Sequence, residues 1–191
     1  MTDAFDAVIL CGGRGRRLDG ADKAVLVVGR RSLLDRAVAA VASARTTIAV
    51  GPRHETERAV VWTSEDPPGG GPVAAIAAGL DLVTEDVVVV LGVDFPFVDA
   101  GHVGRLLQRF DGDGAIVTDQ TGRQQFLVGA YRAASLRRSL GDRDPTGMAV
   151  KELVSELNLV MIDDPRAAQD CDTWADIGAA DAALSSGEPA P

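Results

Sequence analysis

Apolar residues recur along the chain in two ways, as short unbroken runs and as longer stretches with helical spacing, and the two alternate. Ala7-Val8-Ile9-Leu10-Cys11 is an unbroken run ending in Gly12-Gly13, the pattern of a buried strand that opens into a glycine turn. Ser32 then suits an N-cap. After it Leu33, Leu34, Ala37, Val38 and Val41 share one face at i, i+3, i+4 spacing and predict a helix, with Asp35 adding a weak capping box. Thr47 to Val50 and Val60 to Trp62 predict two short strands, the first closed by Gly51-Pro52. The stretch from Pro67 to Pro72 cannot be regular, and the alanine-rich Val73 to Leu82 beyond it predicts a helix. Val87-Val88-Val89-Val90-Leu91 lacks alternation, which predicts a central strand covered on both faces and ending at Gly92-Val93-Asp94.

The later chain predicts a helix over Ala100 to Phe110, strands over Ala115 to Val117 and Phe126 to Tyr131, and helices over Ala133 to Leu140 and Thr146 to Leu157. A strand over Leu159 to Ile162 and a helix over Thr173 to Leu184 follow. Strands alternating with helices predict a single three-layer α/β/α domain over residues 1–184, with a Rossmann-like, mostly parallel sheet. Residues 185–191, Ser-Ser-Gly-Glu-Pro-Ala-Pro, have the composition of a frayed tail.

Composition narrows the function classes. A chain of 191 residues suits one domain, and 46% hydrophobic residues with only 4% aromatic ones predict a core of Ala, Val and Leu. The net charge of −9 opposes duplex nucleic acid as a partner. Without a run of roughly 18 apolar residues or a basic leader at Met1 to Asp6, neither a membrane span nor a secretory signal is expected, and a cytoplasmic location is. Cys11 and Cys171 are too few for a disulfide framework and are expected reduced. His54 and His102 have no partner at metal-ligand spacing and are expected at the surface.

Two features carry chemistry. Gly12-Gly13-Arg14-Gly15-Arg16-Arg17, placed directly after the first strand, offers close backbone N–H groups and positive charge, which suits a polyphosphate. The same residues also fit a surface turn with solvated arginines. The loop matches neither the P-loop, which needs Gly-Lys-Ser/Thr, nor the dinucleotide G-x-G-x-x-G spacing. Asp94 follows the carboxyl end of the strongest strand, where open α/β sheets place ligands and where one carboxylate plus substrate phosphates can hold Mg²⁺. It also suits a cap on the turn before Phe95-Pro96.

In this order the motifs resemble the nucleotidyltransferases that make dinucleotide forms of the molybdenum cofactor, and in particular the molybdenum cofactor guanylyltransferases. The opening motif L-A-G-G-x-x-x-R-M-G-x-D-K is matched at Leu10, Gly12, Gly13, Arg17, Gly20, Asp22 and Lys23, with Cys11 and Leu18 as replacements. The metal motif C-D-x-P corresponds to Val93-Asp94-Phe95-Pro96, and the acidic residue before G-P-L-A-G to Asp66 before Gly71-Pro72-Val73-Ala74-Ala75. Gln125 to Tyr131 resembles the Q-P-L-x-A-x-Y strand. Asp170-Cys171-Asp172-Thr173-Trp174-Ala175-Asp176-Ile177 resembles the N/D-x-N/D-T-P-E-D-L start of the last helix.

The resemblance implies Mg²⁺-dependent transfer of GMP from GTP to molybdopterin with release of pyrophosphate. It implies catalytic roles for Arg17, Lys23 and Asp94, with Asp94 on the metal, and a nucleotide site of Leu10, Cys11, Gly12, Gly13, Lys23, Asp66 and Asp94. Arg123-Gln124-Gln125 is a candidate contact for the pterin, beside its reading as a turn. Guanine users of the family carry glycine at position 12 and cytosine users alanine. Asp19, where the family usually has glycine, and Gly51, where some members have asparagine, depart from the pattern. A monomer is expected, with molybdoenzyme maturation factors as possible partners. The competing readings are a cytidylyltransferase of the same cofactor, a sugar-1-phosphate nucleotidyltransferase and a nucleotide-binding module without turnover.

Overall fold

The structure is a computed structural model that describes residues 4–12 and 18–186. Its sheet is built on β1 (Phe5–Leu10), which pairs in parallel with β4 (Thr47–Val50) on one side and β6 (Val87–Gly92) on the other. β5 (Val61–Thr63) extends it in parallel beyond β4, and β8 (Gln124–Arg132) runs antiparallel to β6, giving the order β5-β4-β1-β6-β8. A parallel pair, β7 (Gly114–Thr118) with β9 (Leu159–Asp163), lies beside β8, where the Arg132 N–H donates to the Asp113 carbonyl at 2.9 Å.

The unbroken apolar runs are buried on both faces because successive side chains point to opposite sides of a strand. Ala7 and Ile9 of β1, with Val87, Val89 and Leu91 of β6, enter one core, which α1 (Leu33–Ala40), α3 (Ala100–Arg109) and α6 (Trp174–Ser185) cover. Val8 and Leu10, with Val88 and Val90, enter a second core under α2 (Pro72–Leu80), α4 (Ala133–Leu140) and α5 (Val150–Leu153). Full burial of each such side chain contributes roughly 1.5–3 kcal/mol as an upper estimate, so both cores draw on the same strands. Gly79 lets α2 approach β1, since a methyl there would meet Val8 Cγ1 at 2.6 Å.

Local signals act as expected at most boundaries. Ser32 Oγ accepts the Asp35 N–H at 3.0 Å and so caps α1, while the Asp35 carboxylate returns a bond to the Ser32 hydroxyl and not to its backbone. Thr173 and Asp176 form a complete capping box at α6. Three elements differ. The helix expected over Thr146 to Leu157 is only the single turn α5, because Gly147 adopts φ +73 and turns at both ends interrupt it. A hairpin of β2 (Val27–Val28) and β3 (Arg31–Ser32), turning at Gly29-Arg30 with both φ positive, occupies a stretch for which no element is predicted. The expected tail begins inside a helix, since Ser185 still belongs to α6.

Two expectations about side chains are corrected. His102 is buried, with Nδ1 2.6 Å from Asp99 Oδ1 and Nε2 3.7 Å from Asp164 Oδ1, because it occupies the third position of the α3 cap. His54 is half-buried, its Nε2 3.1 Å from Asp22 Oδ2. Both cysteines are free and buried, and burial pushes each thiol up to about 12, which leaves them unreactive.

Candidate active site

Parallel strands deliver their carboxyl ends to one edge of the sheet, and Gly12, Gly51 and Asp94 of the residues singled out in the sequence stand there. Gly12 follows β1, Gly51 follows β4 and Asp94 follows β6. The ladder continues past the strand ends and locks these loops together, with Cys11 N–H donating to Val50 O at 2.9 Å and Gly51 N–H to Thr63 O at 3.0 Å. Gly51 (φ +136) has no room for a side chain, since a methyl would stand 2.8 Å from Gly12 N. That close approach explains why asparagine does not occupy this position here.

Asp94 sits in the turn after β6, and a methyl on Gly92 would collide with its Oδ1, so a residue without a side chain at position 92 lets the carboxylate fold over the strand end. The Asp94 side chain keeps 27% of its exposure. Its backbone carbonyl accepts the Cys171 N–H at 2.8 Å, which draws the segment Asp170 to Asp172 against it. Asp176 fixes that segment from the other side by accepting the N–H groups of Asp172 and Thr173 at 3.1 and 2.8 Å.

Lys23 enters the same space from a short 3-10 turn, Lys23–Val25, that Asp22 caps by accepting the Ala24 N–H at 3.0 Å. The Lys23 ammonium donates to Asp172 Oδ1 at 2.6 Å and stands 3.9 Å from Asp94 Oδ2. Burial is the largest influence on the Asp94 carboxyl and pushes its pKa above the ordinary value. Asp170 and Asp172 push it further in the same direction, and Lys23 opposes them. Asp94 and Asp172 thus both face the Lys23 ammonium, with Asp170 close by and 4.0 Å from Arg123, a set of hard oxygen donors that suits a hard cation. Among the described residues no three His, Cys, Asp or Glu side chains are arranged to enclose a metal by themselves. The donor set therefore fits a cation that completes its shell with substrate oxygens, which is the habit of Mg²⁺.

Of the other expected residues, Leu10 and Cys11 are buried, and Gly12, which follows them, is exposed. Gly13 and Arg17 lie outside the described residues. Asp66 is exposed on the loop between β5 and α2. Its neighbour Glu65 is the acid that leans on the glycine turn: its Oε1 accepts the Gly69 N–H at 3.0 Å and would lie 3.9 Å from a methyl on Gly12. Beside Asp94 opens a cavity of about 300 Å³ lined by Phe95, Arg123, Gln125, Phe126, Lys151 and Asp170 among others. A second, of about 330 Å³, shares Arg123, Gln125 and Asp170 and reaches the β7–β8 turn at Asp119 to Thr121. Arg123 stands 4.0 Å from Asp170, whereas Arg143 bonds Ser139 and Glu152 and belongs to the α4–α5 connection.

Sequence reading alone misses the Lys23–Asp172 pair, the Glu65 contact and the need for Gly92. The acidic pair just before Thr173-x-x-Asp176 is the one local signal for the first of these.

Comparison with known proteins bears on the family and the fold. The sequence profile of the MobA-like NTP transferase domain matches residues 7–158. The molybdenum cofactor guanylyltransferase of Acidiphilium cryptum is 33% identical over 137 residues, which cover 68% of this chain and 67% of that protein, so the match spans about two thirds of each. The solved molybdopterin-guanine dinucleotide biosynthesis protein A from Archaeoglobus fulgidus superposes with a TM-score of 0.74 at 19% identity, over 95% of this chain and 99% of that one. 2-C-methyl-D-erythritol 4-phosphate cytidylyltransferase from Thermus thermophilus gives 0.68 at 20% identity, over 96% and 99%. These two likenesses establish a three-layer α/β fold with a mostly parallel sheet and carry no substrate with them. The profile match over most of the chain does establish kinship: this chain belongs to the MobA-like NTP transferase family of nucleotidyltransferases.

Proposed function

We propose that the protein transfers GMP from GTP to the terminal phosphate of molybdopterin, forming the guanine dinucleotide cofactor. In this reading an acceptor phosphate oxygen forms a bond to the α-phosphorus of GTP as the α–β bridging P–O bond breaks, and pyrophosphate leaves with that bond's electron pair. The observation that supports it most is the meeting of Lys23, Asp94 and Asp172 at the carboxyl edge of the sheet, beside a cavity that Asp94 lines.

The chemistry asks the chain mainly for alignment and charge neutralisation, because the attacking phosphate is already a nucleophile. Lys23 and Arg17 face the triphosphate, and Leu10, Cys11, Gly12 and Gly13 line the nucleotide site with backbone groups. Asp94, with Asp172 beside it, holds Mg²⁺, which when bound neutralises charge on the phosphate oxygens. Lys23 gives up its bond to Asp172 as it takes the phosphates, and Asp172 then helps Asp94 hold the cation. No general base is required. Arg123 and Gln125, shared by the two cavities, hold the pterin phosphate and ring.

Guanine is favoured over cytosine by Gly12, which leaves room for a purine. Glu65 adds to this, since a carboxylate accepts the paired N–H donors of the guanine edge. Asp66 on the same loop reaches the guanosine sugar. The enzyme acts as a monomer in the cytoplasm. The reading is tested by incubating the protein with GTP, Mg²⁺ and molybdopterin and searching for the guanine dinucleotide by mass spectrometry. Its formation supports the proposal, and a cytosine dinucleotide formed in preference from mixed GTP and CTP overturns the base assignment.

A further inference from the structure

Asp19 is a negative charge at the end of a loop that the proposed function assigns to a triphosphate. It occupies a tight turn, Leu18 to Ala21, closed by Ala21 N–H donating to Leu18 O at 2.8 Å, with φ +53 at Asp19 and +80 at Gly20. Asp-Gly is a favoured pair for such a turn, since aspartate tolerates the left-handed region better than most residues. Leu18 is fully buried and anchors the turn, while Asp19 projects at the surface.

Its carboxylate is nevertheless engaged: Trp174 Nε1–H donates to Asp19 Oδ2 at 3.2 Å. Trp174 is the first residue of α6, and its ring is 48% exposed, so packing alone does not account for a large aromatic side chain here. Two residues earlier, Asp172 accepts from Lys23. One short segment, Asp172 to Trp174, therefore bonds both the ammonium of the site and the Asp19 carboxylate.

We propose that Trp174 is a positioning residue that restrains the Asp19 carboxylate and so limits its repulsion of the incoming nucleoside triphosphate. The inference rests on the nucleotide reading of the site but not on the base or the acceptor. A free carboxylate on the turn that leads into Lys23 opposes the several negative charges of a triphosphate, and through water and salt this amounts to an effect of about 3- to 10-fold in affinity. The indole N–H, a charge-assisted donor, holds that carboxylate in one orientation and offsets part of its charge.

The test is a double-mutant cycle read by equilibrium binding of GTP and of CTP with Mg²⁺, at low and at physiological ionic strength. W174F keeps an aromatic ring and removes the N–H, and D19N removes the charge while keeping an acceptor. W174F is expected to weaken both nucleotides about 3- to 10-fold, less at higher salt, with thermal stability unchanged because the ring is half-exposed. In the D19N background the same substitution is expected to change affinity by less than about twofold. An unchanged affinity in W174F, or an equal loss with and without the Asp19 charge, overturns the inference. Absence of any nucleotide binding by the unmodified protein fails the site reading itself, a result separate from either of these.

Discussion

Lys23 and Asp172 stand 149 positions apart in the chain and 2.6 Å apart at their charged atoms, so the segment that leads into the last helix supplies a counter-charge for a lysine near the start of the chain. The pair is partly exposed, with Asp172 at 43% and Lys23 at 16%, so its contribution to stability is modest, under about 1 kcal/mol. Its weight falls on function. D172N is expected to lower kcat about 10- to 100-fold and to raise the Mg²⁺ concentration needed for half-maximal rate. The urea midpoint should stay close to that of the unmodified protein. Steady-state kinetics at varied Mg²⁺, beside urea unfolding, checks both halves.

Asp94 carries a pKa above the usual carboxylate value, so the folded protein holds a proton there more tightly than the unfolded chain does. Stability from this group therefore falls as pH rises from about 3.8 through the raised value, and a constant cost remains above it. D94N removes that cost. It is expected to abolish transfer while leaving the melting temperature at pH 7.5 equal or higher. In the unmodified enzyme the acid limb of the rate profile reports protonation of Asp94, and added Mg²⁺ should move that limb to lower pH. A limb insensitive to Mg²⁺ separates Asp94 from the metal.

Asp6 behaves in the opposite sense. It is fully buried, which alone raises its pKa, yet it accepts the N–H groups of Thr46, Thr84 and Glu85 and the Thr84 hydroxyl at 2.7–3.2 Å, and these bonds hold it below the ordinary 3.8. Its stabilisation is complete above about pH 3.8 and is lost as pH falls through the lower folded value. D6N turns an acceptor into a donor facing N–H groups and is expected to cost about 2–4 kcal/mol in urea unfolding at pH 7.

Gly12 separates fold from specificity. Among the described residues a methyl there meets Glu65 Oε1 at 3.9 Å and Gly51 Cα at 4.0 Å, ordinary contacts, so G12A should fold with a stability change under about 0.5 kcal/mol. Any effect then reports the ligand. The expected result is a fall in kcat/KM for GTP relative to CTP on the order of tenfold, the scale of one methyl in a fitted pocket.

How much of this was legible beforehand depended on the range of the interaction. The valines of β6 and the β1 run announced strands buried on both faces, because an unbroken apolar run has no solvent side to offer. Asp94 and Lys23 were legible from their places beside those runs and from the family motif. The hairpin at Gly29-Arg30 was not, since arginine is a poor signal for a turn that needs a positive φ. Nor were the pairing of Asp172 with Lys23, the bond from Trp174 to Asp19 or the approach of Glu65 to Gly12. Each joins segments that only the folded sheet brings together, and no local spacing encodes them. His102 read as a surface residue because its burial comes from Asp164 on a distant turn as much as from its own helix cap.

The central claim is most directly tested by pyrophosphate release measured with GTP and with CTP, each with Mg²⁺, in the presence and absence of molybdopterin. Release from GTP that requires the pterin, with little from CTP, is the predicted result. Release that favours CTP, or none from GTP under conditions where GTP binds, would contradict guanylyl transfer to molybdopterin.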